Sequence, residues 1–424
     1  MKNILTKIFR SKKNLSPKEI SFLEITKKTK VSEIFKAISN YNELSEIRYV
    51  GGCVRKILNE EEFDDIDLAT NLKPNEVKEC LKQNNIDFFE TGIDHGTITA
   101  KINEKNFEIT SLRKDISTDG RRAIVEFTNE WKMDALRRDF TINSIYADKE
   151  GNLFDPNDGV KDLKNGEVEF IGDPEKRVKE DYLRILRYVR FFLNYSKKEH
   201  KLNVIKIIKQ NISGISKLSK ERLIDELKKL VKSKGFLKIN NDEFCKEVIL
   251  LIFPQLKNIQ IYKNLNKYAE KIYLSQNFIF LISLMIIDET DNSDYFLYKF
   301  KLSNNDQKKV KFLKEIFSEK NNKKIFNEKK LWEIFYYKSK DDLIDILKFE
   351  IFKNKKINYK LIKLLNFFKD KEKPIFPING KDIMLKYDLK EGRELGDKLK
   401  KIENVWIKNG FRISHKDIDK LIKN

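Results

Sequence analysis

Apolar residues change their spacing near Asp173, and the change divides the chain into two kinds of architecture. In "VSEIFKAISNY" (31–41) they fall at helical intervals and predict an amphipathic helix. "IRYVGGCVRKILN" (47–59) reads as a short strand, a glycine turn and a helix. "DDIDLAT" (64–70) reads as a strand with alternating acids, and "KPNEVKECLKQNN" (73–85) as a helix. "GTITAKINEKNFEITSLR" (96–113) predicts a β-hairpin turning at Asn103–Asn106. "DISTDGRRA" (115–123) reads as a polar loop around Gly120, and "WKMDALRRDFTINSIYAD" (131–148) as a helix. "DPNDGVKDLKNGEVEFI" (155–171) reads as a turn-rich segment with a short strand. From Asp173 onward the pattern is helical, with breaks at Pro254 and at "KPIFPINGKD" (Pro374, Pro377), and no internal repeat is visible. The expected fold class is α+β: a small mixed head of about 165 residues, then an all-helical arm.

Composition narrows the picture. The 424 residues, 40% of them hydrophobic, are enough for several domains with sizeable cores. No run of about 18 uncharged apolar residues exists, so no membrane span is expected. The opening "MKNILTKIFRSKKNLS" is basic but has neither an apolar core nor a small-residue cleavage site, which argues against secretion. Three scattered cysteines, Cys53, Cys80 and Cys245, point to a reducing cytoplasm and no cysteine-based zinc site. The net charge of +20 points to a polyanionic partner, most simply nucleic acid, although a bias towards Lys, Asn, Ile and Phe also raises it. The arginines are more specific. Eleven of fifteen lie between Arg48 and Arg190, and none lies between Leu223 and Gly392. Lysine is the ordinary cation here, and the planar five-donor fork of arginine is concentrated where phosphates or base edges would be gripped.

The acids supply candidate chemistry. Asp65 and Asp67 lie two apart on a predicted strand, so period-2 geometry puts both carboxylates on one face. Such a pair repels itself unless a cation lies between, and Mg²⁺ favours one or two carboxylates plus substrate phosphates. Upstream, Gly51 and Gly52 allow backbone N–H groups close to a phosphate at a helix start. Downstream, Glu108 on a hairpin strand is a candidate third acid, with a plain surface acid as the alternative. The order of cradle, paired acids and third acid suggests metal-assisted phosphoryl or nucleotidyl transfer. His95, His200 and His415 are isolated in the sequence, and no Ser/His/Asp or Cys/His constellation can be argued from their spacing.

"GGCVRKILN…DDIDLAT", "ALRRDFTINSIYAD", "LFDPNDGVKDL" and "EDYLRILRYVRF" resemble, in order and spacing, the class II CCA-adding tRNA nucleotidyltransferases, a branch that also contains bacterial poly(A) polymerase. The match is dense from Arg48 to Phe192 and returns at "PIFPINGKDIM" and "KKIENVWIKNGF". The resemblance implies a basic lead-in and helix (1–46), a five-stranded nucleotidyltransferase head (47–165), a neck (166–235), a body (236–373) and a tRNA-contacting tail (374–424). It implies untemplated addition of C, C and A to the 3′ end of tRNA from CTP and ATP, with Mg²⁺. It assigns Asp65 and Asp67 as metal ligands. Gly52, Arg55, Arg138, Asp181, Arg184, Arg187 and Arg190 become the nucleotide site. The family's usual aspartate after "GGxVR" is Lys56 here. A polymerase using ATP alone, a CC-only enzyme and a non-catalytic RNA-binding protein on the same scaffold are the alternatives. Oligomeric state is open.

"EDYLRILRYVR" (180–190) has a physical reading of its own. Asp181 accepts, Arg184 donates, and one helical turn would set them side by side. Cytosine and adenine each offer an exocyclic amine beside a ring acceptor, and both fit such a pair. Uracil and guanine are reversed, and the mispaired charges would reject them by about 10³-fold. Ile185, Leu186, Val189 and Phe192 fall on one helical arc, while Arg184, Arg187 and Arg190 fall opposite, facing ligand or water. Arg187 and Arg190 are expected to hold the triphosphate or brace Asp181. The alternative is a solvated face with i,i+3 ion pairs. Asp139 is expected to support Arg138 or the sheet, and Asn143 to satisfy local backbone.

Overall fold

A computed structural model describes residues 17–63, 65–93, 96–118, 123–318 and 326–423. The start of the basic lead-in, His95 and Gly120 lie outside the described residues. The chain forms two compact units, one ending at Leu227 and the other beginning at Lys228.

In the first unit, α1 (Pro17–Thr29) and α2 (Ser32–Ser39) precede β1 (Ile47–Val50), α3 (Gly52–Leu58), β2 (Asp67–Thr70) and α4 (Pro74–Gln83). Next come β3 (Asp87–Gly92), β4 (Thr97–Ile102) and β5 (Lys105–Ser111), then β6 (Arg113–Thr118) and β7 (Ala123–Phe127). The head closes with α5 (Trp131–Leu136), β8 (Tyr146–Ala147), β9 (Leu153–Phe154) and α6 (Gly159–Asn165). The main sheet has the order β3-β4-β5-β2-β1-β8-β9, and only β2 and β5 run parallel. Successive residues of a strand serve opposite faces. Tyr49 and Leu68 join Phe35, Val54, Leu81 and Ile109 on the face covered by helices, while Val50 and Ala69 pack with Trp131 and Tyr146 on the other.

Several expectations need correction. The resemblance implies five strands, and the main sheet has seven: β1 to β5 and the two-residue strands β8 and β9, while the short strand expected within 155–171 is only an isolated bridge of Phe170 to Phe140. The two-residue strands occupy backbone groups that β1 would otherwise expose as an edge. The segment 131–148 is not one helix. It comprises α5, a 3₁₀ turn at Thr141–Asn143 and β8, because buried Asp134 draws Arg137, Arg138 and the Tyr146 hydroxyl back towards itself. The expected polar loop at 115–123 is largely β6 and β7, paired antiparallel with Lys114 and Glu126 in a 3.0 Å salt bridge. β3 was not anticipated. The β4–β5 turn is confined to Asn103 and Glu104, with Asn103 left-handed at φ 54°.

Beyond Asp173 the described residues are helical, as expected. α7 (Pro174–Glu180), α8 (Leu183–Tyr195) and α9 (Leu202–Asn211) lie in the first unit, and α10 (Lys220–Val231) spans the division. In the second unit every residue of the helix Phe278–Ile286 is buried. The helix Glu243–Ile252 ends just before Pro254. Ile383, Leu395, Ile402, Ile418 and Ile422 form a small core of their own near the C-terminal end. No described helix is long and apolar enough to cross a membrane.

The turn-rich segment after β9 is a device for close packing. Both oxygens of Asp155 accept N–H groups at the start of α6, from Gly159 and Val160, at 2.8 Å each. A Cβ on Gly159 would lie 2.2 Å from the carbonyl oxygen of Thr141. Gly159→Ala is therefore expected to destabilise the first unit by about 1–3 kcal/mol. Gly396→Ala, where an added Cβ meets nothing within 4 Å, is expected to leave stability unchanged or raise it slightly. Melting temperatures of the two variants followed by circular dichroism test the contrast.

Candidate active site

β1 runs into Gly51, whose φ of 67° is left-handed and suits glycine, and α3 starts at Gly52. A Cβ on Gly52 would stand 3.9 Å from Asp67 Oδ2, so the turn lies against the acid strand. Asp67 is the first residue of β2 and faces Glu108 of β5 in the parallel register. Asp65 lies just outside the strand rather than within it. The alternation survives, because exposed Asp65 and half-buried Asp67 flank buried Ile66. Among the described residues no cation makes a salt bridge to Asp65, Asp67 or Glu108. Burial, and then the Glu108 charge, push the Asp67 carboxyl up to about 6; Asp65 adds to the rise, while Arg138 and Arg55 oppose it. An all-oxygen acidic set crowded enough to resist ionisation suits a hard divalent cation, which would relieve the repulsion.

Behind the turn lies a buried arginine cluster. Asp134 accepts Arg137 Nε at 2.7 Å, Arg138 Nη2 at 3.1 Å and the Tyr146 hydroxyl at 2.7 Å. Burial raises the Asp134 carboxyl, but the two guanidiniums and the hydroxyl outweigh it and hold the group well below the usual carboxylate range. Arg138 also donates to the Asn143 carbonyl at 3.4 Å, and its Nη1 would lie 3.4 Å from a Cβ on Gly51. It therefore stands directly under the glycine turn. Arg55 is only 6% exposed. It donates to Asn143 Oδ1 and lies over the rings of Phe191 and Tyr195 at 4.8 and 4.9 Å. The structure buries this expected nucleotide contact between α3 and α8. Asn143 serves Arg55 and Asp139 through its side chain as well as taking part in local backbone bonds.

The "EDYLRILRYVR" segment is not one helix. α7 ends at Glu180, α8 begins at Leu183, and Asp181 between them has extended backbone (φ −152°, ψ 103°). Asp181 Oδ1 accepts the Leu183 N–H at 3.1 Å, and Oδ2 accepts Arg222 Nη2 at 2.7 Å. Arg184 donates to Glu180 at 2.5 Å and to the Arg177 carbonyl at 2.7 Å. The apolar arc is as expected: Ile185, Leu186 and Val189 are fully buried and Phe192 nearly so. The arginine arc faces neither open water nor i,i+3 partners. Arg187 Nε donates to Asp139 at 2.7 Å, and Arg190 pairs with Glu226 at 2.5 Å, with Arg187 3.7 Å from the same acid. Arg187 thus braces Asp139 rather than Asp181, and Asp139 serves Arg187 rather than Arg138. Burial raises the Asp139 carboxyl, but Arg187, Asn143 and the Phe140 N–H hold it well below the usual range.

Reading the sequence missed Arg177, Arg222 and Glu226. Arg177 clamps Glu180 at 2.6 Å and donates to the carbonyls of Arg137 and Arg138, joining α7 to the end of α5. Arg222 and Glu226 are four apart on α10, and Arg222 is the last arginine before the long arginine-free stretch. That isolation was the available signal.

The crowding at Asp67 predicts a pH effect on stability. Its pKa rises from 3.8 to about 6 on folding, so the ionised group costs nothing below about pH 4 and the full amount above about pH 6. Asp67→Asn, measured in chelator, should melt higher than the parent at pH 8 by the equivalent of about 1–3 kcal/mol, and level with it at pH 4. A divalent cation should raise the melting temperature of the parent and not of the variant. A variant that melts lower at pH 8 would count against crowded acids.

Comparison with known proteins agrees with this geometry. Residues 47–169 match the family described as "Poly A polymerase head domain", and residues 274–416 match "tRNA nucleotidyltransferase domain 2 putative". The chain is 32% identical over 405 residues to the mouse protein named "CCA tRNA nucleotidyltransferase 1, mitochondrial", covering 90% of this chain and 87% of that one. It is 31% identical over 372 residues to the "CCA-adding enzyme" of Staphylococcus haemolyticus, covering 84% and 88%. Its fold is similar to the Bacillus stearothermophilus CCA-adding enzyme solved with CTP: TM-score 0.72, 19% identity, 96% and 98% of the two chains covered. It is also similar to the Thermotoga maritima enzyme complexed with tRNA, with a TM-score of 0.63, 18% identity and coverage of 95% and 98%. The 32% identity to the mouse protein over most of both chains, with the head match over the acid strand and glycine turn, shows that this chain belongs to the family of CCA-adding tRNA nucleotidyltransferases.

Proposed function

We propose that this protein adds C, C and A to the 3′ end of tRNA from CTP and ATP, without a nucleic-acid template, using Mg²⁺. The observation that supports this most is the registered pair Asp67 and Glu108 beside Gly52, with Asp67 pushed up to about 6 and Asp65 on the same side of the chain. Asp65 and Asp67 would hold the metal, and Glu108 is the candidate third acid. When bound, Mg²⁺ would neutralise triphosphate charge and favour attack by the tRNA 3′-hydroxyl.

The remaining residues divide by what they can reach. Gly52 leaves room for a phosphate beside the acids, and Arg138 under the turn supplies positive charge there. Arg55, Arg187 and Arg190 act by holding elements together, since each is engaged with buried groups. Asp181 and Arg184 remain the base-reading pair. Each Asp181 oxygen accepts one described donor, which leaves lone pairs for an exocyclic amine, and Arg184 has further N–H groups beyond its engaged Nη1. The head, neck, body and tail boundaries and a cytoplasmic setting belong to the same reading. The tail is supported by its separate small core and the setting by three buried free cysteines, although mammalian relatives carry mitochondrial names.

The decisive assay uses tRNA lacking its 3′ CCA, Mg²⁺ and each labelled nucleotide in turn. Growth by three residues that needs both CTP and ATP is the expected result. Long A tracts would favour a poly(A) polymerase, growth by two a CC-only enzyme, and no growth would reject the reading. Asp181→Ala and Arg184→Ala should each slow correct addition and admit UTP or GTP, by about 10-fold or more in the ratio of kcat/KM values. Unchanged selectivity in both would remove the base-reading role.

A further inference from the structure

We infer that Arg222, on α10, is a positioning residue for nucleotide selection: it fixes the carboxylate plane of Asp181 from outside the segment that reads the base. This rests on the base-reading role proposed for Asp181. Asp181 lies in extended backbone between two helices, so no helical ladder orients its side chain. Two donors do so instead. The Leu183 N–H takes Oδ1 at 3.1 Å, and Arg222 Nη2 takes Oδ2 at 2.7 Å across 41 residues of sequence. With one oxygen held from each side, the carboxylate cannot rotate, and its remaining lone pairs keep one direction.

Competing cations make this restraint necessary. Arg184, Arg187 and Arg190 follow Asp181 within nine residues, and the Asp181 charge is felt at Arg187. Without Arg222 the carboxylate is free to turn towards that row and lose its base-facing acceptor. α10 prevents this with two residues one turn apart. Arg222 engages Asp181, and Glu226 engages Arg190. The helix therefore holds the acid at the start of the segment and the arginine at its end separately. The Arg222–Asp181 pair is partly exposed, with the side chains 30% and 23% accessible, so it adds little to stability. Its contribution is orientation. A planar fork holds a carboxylate plane better than an ammonium does, which accounts for arginine at this place in a chain that otherwise prefers lysine.

The test uses the full chain, tRNA lacking CCA and Mg²⁺, with kcat/KM measured for CTP and UTP. Arg222→Ala should lower the CTP:UTP ratio about tenfold, while the melting temperature stays within about 2 °C of the parent. Arg222→Lys should fall between the two. In an Asp181→Ala background, Arg222→Ala should have no further effect on the ratio. If Asp181→Ala lowers the ratio and Arg222→Ala leaves it at the parent value, the positioning role is refuted and the base-reading role stands. If Asp181→Ala also leaves the ratio unchanged, the base-reading role fails and takes this inference with it. Should Arg222→Ala lose cooperative melting, Arg222→Gln is read in its place by the same criteria.

Discussion

Asp139 is 8% exposed, and its carboxylate accepts from Arg187, from the Asn143 amide at 2.9 Å and from the Phe140 N–H at 2.9 Å. Asn143 in turn takes Arg55, and Arg187 approaches Glu226, which holds Arg190. One connected network thus runs from α3 through the 3₁₀ turn to α8 and α10. Buried charges persist only when they are paired and hydrogen-bonded, and removing one partner typically costs about 3–5 kcal/mol. The glycine turn, the arginine cluster and the segment 180–190 all depend on this network for their mutual positions within the first unit.

Much of this was legible before the structure, for identifiable reasons. The period of a strand is two, so Asp65 and Asp67 could be assigned to one side, and Leu68 and Ala69 to opposite faces, from spacing alone. The buried arc of α8 followed from its period in the same way. What could not be read was long-range. "WKMDALRR" contains no Gly or Pro to stop a helix, and the convergence of Arg137, Arg138 and Tyr146 on Asp134, where α5 ends at Leu136, is not visible in it. β6 is mostly polar and β7 only five residues long, and their pairing, with Lys114 meeting Glu126, is visible only in the structure. Arg222 and Glu226 meet their partners 41 and 36 residues away. A local pattern contains no trace of such separations.

The arginine distribution was informative, but it did not reveal the acids of this chain that engage the cluster. A stripe of Arg184, Arg187 and Arg190 opposite an apolar arc suggested a face turned to ligand. Instead it meets Glu180, Asp139 and Glu226, so most of its charge is used to join elements. Lysine, compact and strongly hydrated, supplies the exposed charge, while arginine is retained where a rigid fork must reach two groups at once.

The interruption between α7 and α8 separates two properties that a continuous helix would have tied together. On one helix, rotating Asp181 would rotate Arg184 with it and disturb the packing of Ile185 and Leu186. With Asp181 in extended backbone and tethered from α10, its aim and the anchoring of α8 are set by different residues. The direction of the Asp181 carboxylate is therefore open to adjustment by substitutions on α10, with the buried arc of α8 left as it is.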